Sequence, residues 1–350
     1  MPEWLPAFMP ASALWIIAAA LLLALLIDAA LGEPPTWLHP VVGMGQYLAL
    51  WCNWLLVQRP AMAFVAGAVL WVVGATVVAA LAWSAQRFLL RELPAVGAAL
   101  LLALLLKPLL AWRMLRREVL AVEAALTESL DAGRERLSRL VSRDVSALNE
   151  AEVRESAIES LAENLNDSVV APLFWFMLLG LPGAAVYRFA NTADAMWGYR
   201  GRWEWAGKWA ARADDLLSWL PARLTALLIA MAHGGLSLRA LRAQARHTPS
   251  PNSGWPMAAM ALALDVQLCK PGVYALHAAG RAPRAEDTRG GIGLASRAVW
   301  AGAFLAISVL AMAAWADAIL MARAPLIVQF TFEAPGLENP TLRELFNKIL

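Results

Sequence analysis

Cysteine is nearly absent and charge is scarce. The 350 residues hold two Cys, Cys52 and Cys269. They stand far apart and outside any C-x-x-C or metal-ligand spacing, which argues against a disulfide scaffold and against a zinc site. Asp, Glu, Lys and Arg make up only 16% of the chain, and the formal net charge of +2 implies no nucleic-acid partner. A Gly-rich Walker loop, H-E-x-x-H and G-x-S-x-G are all missing. Nucleotide chemistry, if present, must rest on carboxylates with Mg²⁺ and on Arg contacts. No internal repeat or low-complexity segment stands out beyond richness in Ala and Leu.

Apolar residues are what the chain has in excess. They reach 60%, with mean hydropathy +0.55, where a globular domain is about half apolar. Ala13–Ile27, Pro60–Trp83 and Ala298–Ala316 carry no charge, and Pro94–Leu106 continues past Lys107 to Trp112. A helix needs roughly 20 apolar residues to cross the hydrocarbon, so spans are expected near 11–31, 60–83, 94–112 and 298–320. The runs near 169–189 and 216–233 are shorter or interrupted. Pro172, Gly180, Pro182 and Gly183 suit a broken or re-entrant helix, and Pro221 and Arg223 interrupt the second run. The expected fold is an all-α, polytopic integral membrane protein of about four to six transmembrane helices, with helical polar segments between them. Residues 1–325 form the membrane domain and 326–350 a tail. Without a basic n-region or small-residue cleavage site, the first run reads as an uncleaved span.

Among the 17 Trp, Trp51, Trp54, Trp83, Trp112, Trp219 and Trp300 lie at or near the ends of apolar runs, where indoles anchor at the interface. Gly32–Arg59 reads as a loop and Ser84–Leu93 as a tight link. Within Arg113–Asp167, Gly133 permits a helix break, and a further helix begins near Ser146–Asn149 ahead of Glu150 and Glu152. Arg113–Asp167 and His233–Arg297 are the basic segments, and the positive-inside rule places them in the cytoplasm.

Five polar clusters are candidates for chemistry. In Arg154–Asp167, the acids Glu155, Glu159, Glu163 and Asp167 form an i, i+4 ladder whose like charges repel. A divalent cation or facing Arg residues would reverse that repulsion, and oxygen-only ligands suit Mg²⁺ beside phosphate. Asn191–Arg200 adds Asp194, and Arg212–Leu224 adds Asp214, Asp215 and Arg223. Ser250–Met257 reads as a turn. Asp28–Gly45 holds His39.

Together and in order, these clusters resemble the adenosylcobinamide-phosphate synthase family of cobalamin biosynthesis, from about Asp28 to Arg297. The motifs are E-S-L-A-E-N (159–164), D-x-V-V-A-P-L-F (167–174), N-T-x-D-x-M-x-G-Y (191–199), D-D-x-x-x-W-x-P-A-R-L (214–224) and P-N-x-G-W-P-M (251–257). Ser142, Ser168 and Ser218 depart from the family's usual Gly, Gly and Asn. The resemblance implies an ATP-dependent ligase that joins (R)-1-aminopropan-2-ol phosphate, or an ethanolamine analogue, to the corrinoid adenosylcobyric acid. It also implies a multi-pass protein of the bacterial inner membrane with its site toward the cytoplasm, where it could meet other membrane enzymes of late corrinoid assembly.

Under it, Glu159, Glu163, Asp167, Asp194, Asp214 and Asp215 are catalytic, with Glu163 and Asp167 holding Mg²⁺. Arg143, Arg154 and Arg223 contact phosphates. His39, Asn164, Asn191, Tyr199, Asn252 and Trp255 complete the binding set, and His39 or one of the Asp residues is the base. Trp197, Tyr199 and Trp255 pack on the corrin. The competing reading is a non-enzymatic corrinoid transporter or regulatory sensor, which would favour repeats and charges within complete spans.

Overall fold

The computed structural model describes residues 11–332, with side chains through Ile319. In chain order it holds α1 (Ala11–Leu31), α2 (Pro40–Leu56), α3 (Pro60–Glu92), α4 (Ala95–Leu106), α5 (Trp112–Glu128), α6 (Leu130–Leu137) and α7 (Glu150–Leu165). There follow α8 (Ala171–Trp197), α9 (Lys208–Leu217), α10 (Trp219–His233), α11 (Leu238–Ala245), α12 (Gly254–Leu264), the strands β1 (Leu268–Lys270) and β2 (Tyr274–Leu276), and α13 (Ala285–Phe332). The two strands pair antiparallel, with Cys269 opposite Ala275.

Five helical stretches are long and apolar enough to cross a bilayer: Ala11–Leu31, Pro60–Glu92, Ala95–Glu128, Glu150–Trp197 and Ala285–Ile319. α1 packs on α4 and α13, and α3 packs on α8. The outward faces remain apolar: α3 exposes Val65, Val69, Val77 and Leu81, and α13 exposes Phe304, Met312 and Trp315. Water disfavours such faces and lipid accepts them. The chain is an all-α polytopic membrane protein.

One of these stretches is not a straight span. At 1.5 Å per residue, Asp167 and Arg188 would lie about 30 Å apart on a continuous helix. Instead, Arg188 Nη1 donates to the Asp167 carbonyl at 2.9 Å, and the Tyr187 hydroxyl lies 3.4 Å from Asp167 Oδ1. The chain turns back at Gly180, where φ is +68°, a left-handed conformation that side-chain-bearing residues resist. A Cβ there would collide with Gln86 of α3, whose Oε1 accepts from the Leu181 N–H at 2.6 Å. That bond satisfies a backbone donor which the broken helix leaves without an intrahelical partner. By helical rise the arm from Asp167 to Gly180 is about 20 Å long and the return to Arg188 about 12 Å, each shorter than a hydrocarbon thickness of about 30 Å. The α9–α10 pair is also bent, by 45°, at Ser218. The punctuation around Pro172 and Gly180 thus marks a helical hairpin.

Several sequence expectations change. Gly32–Arg59 is mostly the helix α2, because Pro40 sits at its first position, where a missing N–H is tolerated. The Ser84–Leu93 link is helical through Glu92. The helix break expected at Gly133 comes instead at Ser129, whose side chain accepts from the Ala132 N–H. Gly133 lies inside α6, where a Cβ would strike Leu126. Trp54, Trp83, Trp219 and Trp300 are exposed as interfacial anchors should be, but Trp112 is buried. α13 begins at Ala285, earlier than the apolar run alone suggests, and its helix continues to Phe332. The rest of the 326–350 tail lies outside the described residues.

Candidate functional site

The acid ladder is set by α7. Asn149 and Glu152 form a reciprocal capping box that fixes the first turn of this helix. Its four acids then divide. Glu155 accepts from the Cys269 backbone N–H at 2.8 Å, tying the β-hairpin to the helix. Glu159 pairs with Arg143 at 3.1 Å, and Arg143 also donates to the Ser156 hydroxyl. Glu159 Oε1 is buried without a hydrogen-bond partner. Tyr274 faces the same acid. Burial and the Glu159 charge push its hydroxyl above the ordinary range, so it remains a neutral donor.

The lower two acids have no cation paired with them. Glu163 is solvent-accessible. Asp167 accepts from Asn166 Nδ2 at 2.7 Å, and Thr225 holds the Asn166 amide oxygen at 3.1 Å. Asp194 on the returning arm of α8 and Asp214 on α9 lie within electrostatic reach of Asp167, and Glu163 feels both Asp167 and Asp194. Asn191 accepts from Arg188 at 3.3 Å and lies within electrostatic reach of Asp167 and Asp214. Asp214 Oδ1 is buried without a partner. Four carboxylates thus act on one another beside the hairpin, with Arg188 as the adjoining cation.

On the opposite wall, Asp28 is fully buried at the end of α1 and accepts from the Arg113 N–H at 2.8 Å. Lys107 bridges Asp28 at 3.6 Å and Glu33 at 2.9 Å, and Glu33 lies 3.3 Å from His39 Nε2. Glu33 also acts electrostatically on Arg188, so the segment carrying His39 borders the chamber. The Ala111 N–H donates to the Ser168 carbonyl at 3.0 Å, which joins this wall to the hairpin.

Among the described residues no three His, Cys, Asp or Glu side chains converge as a self-sufficient metal cage. Mg²⁺ needs no such cage, because one or two carboxylates, water and substrate phosphates serve. The oxygen-only donors Glu163 and Asp167, with the unpartnered Asp214 Oδ1 nearby, fit an ion of that kind.

Not every expected residue joins this chamber. Arg154 is held by Glu123 at 2.8–3.1 Å and Glu150 at 2.7 Å, and Thr288 of α13 caps Glu123 at 3.0 Å. This network locks helices together and leaves no guanidinium edge for a ligand. Trp197 is fully buried, donates to Cys52 Sγ at 3.4 Å and stacks on Trp203, so it belongs to the core. Asn164 Nδ2 donates to the Ser160 carbonyl at 2.9 Å. Asn252 is a buried tie, donating to the Asp215 carbonyl at 2.7 Å and accepting from Arg223 at 3.1 Å. Asp215, Arg223, Tyr199 and Trp255 line a separate open cleft of about 1030 Å³.

Asn166, Tyr187, Arg188, Lys107, Glu33 and Tyr274 escaped sequence reasoning, as did Lys270 of β1, whose charge acts on Glu159 and Glu163. Tyr187 meets the Ser218 hydroxyl at 3.1 Å, so the serine at that position serves the helix junction. The one available signal was a costly charge, Arg188, beside a run punctuated for a turn.

A family model described as CobD/Cbib protein matches residues 21–295. A probable cobalamin biosynthesis protein CobD of Methanothermobacter thermautotrophicus is 43% identical, covering 74% of this chain and 86% of its own length. The cobalamin biosynthesis protein CobD of Chromobacterium violaceum is 40% identical over 82% and 94% of the two chains. That of Rhodobacter capsulatus is 39% identical over 84% and 98%. No solved structure matches the chain. The match covers the ladder, the hairpin, the α9–α10 bend and the turn before α12, and the chain belongs to the CobD/Cbib family.

Proposed function

We propose that the protein serves cobalamin biosynthesis as an ATP-dependent acid–amine ligase, joining (R)-1-aminopropan-2-ol phosphate or its ethanolamine analogue to adenosylcobyric acid. The electrostatic grouping of Glu163, Asp167, Asp194 and Asp214 beside the hairpin, with Glu163 open to solvent, carries this reading. Like charges held together at that depth are unfavourable without a cation or a reaction to serve.

A carboxylate is a poor acyl donor. Transfer of the γ-phosphoryl group of ATP to an oxygen of the substrate propionate gives an acyl phosphate and ADP. The amine nitrogen then attacks the carbonyl carbon, the C–O bond to phosphate breaks, and a proton leaves the nitrogen. The products are the amide, ADP and inorganic phosphate. Mg²⁺ bound through Glu163 and Asp167 would neutralise phosphate charge. Asn166 and Tyr187 orient Asp167, and Arg188 supplies fixed positive charge beside the moving phosphoryl group. His39, whose Nδ1 has no partner among the described residues, or one of the Asp residues would take the amine proton.

All the acids sit at one end of the hairpin, which supports a site on a single membrane face. The basic segments support the cytoplasmic face of the bacterial inner membrane, where later enzymes of corrinoid assembly could take the product. The test incubates detergent-purified protein with both organic substrates, ATP and Mg²⁺. Mass spectrometry should find the amide and matching ADP only when all components are present. Absence of product, with corrinoid uptake by proteoliposomes, would replace the enzyme with a transporter. Equal rates in Glu163→Ala and Asp167→Ala would remove these acids from the site.

A further inference from the structure

The cleft beside the acid chamber is lined by six cations, Arg200, Lys208, Arg212, Arg223, Arg242 and Arg246, against two acids, Glu204 and Asp215. Its aromatic lining is Tyr199, Trp203, Trp219 and Trp255. A general excess of Lys and Arg on one membrane face needs no convergence. These residues come from the turn after α8 and from α9, α10 and α11, yet they face one space of about 1030 Å³. Among the described residues Arg200, Arg242 and Arg246 have no ion-pair or side-chain hydrogen-bond partner, so their charge is available to a ligand. Arg223 is instead fixed. Its guanidinium lies 4.2 Å from the Trp219 ring centre and 4.9 Å from that of Trp255, and it donates to Asn252 at 3.1 Å. It also donates to the Trp219 carbonyl at 2.5 Å and the Pro251 carbonyl at 3.4 Å, so it contributes a fixed positive charge to the cleft wall rather than a free donor.

The cleft and the chamber share a wall. Consecutive residues of α9 face the two spaces, Asp214 toward Asn191 and Asp167, and Asp215 into the cleft. Gly198 also lines the cleft, and its N–H donates to the Asp194 carbonyl at 2.7 Å. A ligand with several adjoining negative charges and a flat apolar end would match the cations and the aromatic rings together.

We propose that this cleft is the binding site for a nucleoside triphosphate, with the polyphosphate on the arginines and the base against the aromatic side chains. The proposal rests on the ligase reading for the use of the nucleotide, but it is read by binding alone. Phosphate chemistry is shared by the amine donor and by lipid headgroups, and competition separates them. The experiment measures equilibrium binding of a fluorescent, non-hydrolysable ATP analogue to the full chain in neutral detergent. The paired substitution Arg242→Ala with Arg246→Ala should weaken binding about tenfold or more, and Arg242→Lys with Arg246→Lys should restore most of it. Both positions are exposed, so thermal midpoints should not move.

Unlabelled ATP should displace the probe, whereas ethanolamine phosphate and phosphatidylglycerol vesicles should not at matched phosphate concentration. Unchanged affinity in the alanine pair overturns the proposal. So does displacement by ethanolamine phosphate or by the anionic lipid but not by ATP. A protein that binds the analogue here yet forms no amide contradicts the ligase reading alone. Amide formation with an unchanged KM for ATP in the alanine pair contradicts the cleft alone.

Discussion

The upper and lower halves of one acidic ladder behave as two different materials. Glu155 and Glu159 each have a partner, a backbone N–H and Arg143 respectively. One turn further on, Glu163 and Asp167 face Asp194 and Asp214. Identical spacing in the sequence therefore gives a structural seam at one end and a repulsive cluster at the other. Acids with partners hold the helix in place. Acids facing acids reduce stability, and they persist where a ligand cation or phosphate completes the charge balance.

The sharpest way to break this contrast is to remove one charge from each kind of site. Asp167→Asn should lower amide formation by about 10³-fold, as loss of a group acting on transition-state charge does, with little change in thermal midpoint. Glu123→Ala should do the reverse. It leaves Arg154 with Glu150 alone and Thr288 without its acceptor, and apparent stability should fall by about 2 kcal/mol, seen as a lower midpoint in detergent. An Asp167→Asn protein that unfolds early but turns over normally would erase the distinction.

The hairpin that creates the lower site can be tested next. Gly180→Ala forces a Cβ onto a left-handed residue and against Gln86, and it should destabilise by about 2 kcal/mol while lowering activity through misplacement of Tyr187 and Arg188. The smallest effect is expected from Glu155→Gln, which keeps an acceptor for the Cys269 N–H but removes the charge that strengthens it. A loss of about 1 kcal/mol with retained turnover would place Glu155 in the seam.

Local signals were legible in the sequence and long-range ones were not. The Asn149–Glu152 cap is a local hydrogen-bond pattern and could be read directly. Pro172, Gly180, Pro182 and Gly183 marked the break because each restricts or frees the backbone wherever the chain goes. By contrast, Pro40 resembled loop punctuation although it opens α2, since proline suits both settings. Arg154 sits in the acidic motif, but its partner Glu123 is 31 residues away, and spacing alone could not show that it was already taken. Tyr187, Arg188 and Lys107 join the chamber only because the chain doubles back and α4 ends beside it. No periodicity carries that information.

The hairpin is the claim on which the chamber depends, and a distance between spin labels tests it most directly. With labels at Asn164→Cys and Asn191→Cys in a Cys52→Ser, Cys269→Ser background, pulsed electron resonance of the detergent-solubilised protein should give a distance below about 20 Å. A straight helix from one label to the other would separate them by about 40 Å. A dominant population near that longer value would mean that Asp167 and Asp194 never share a site.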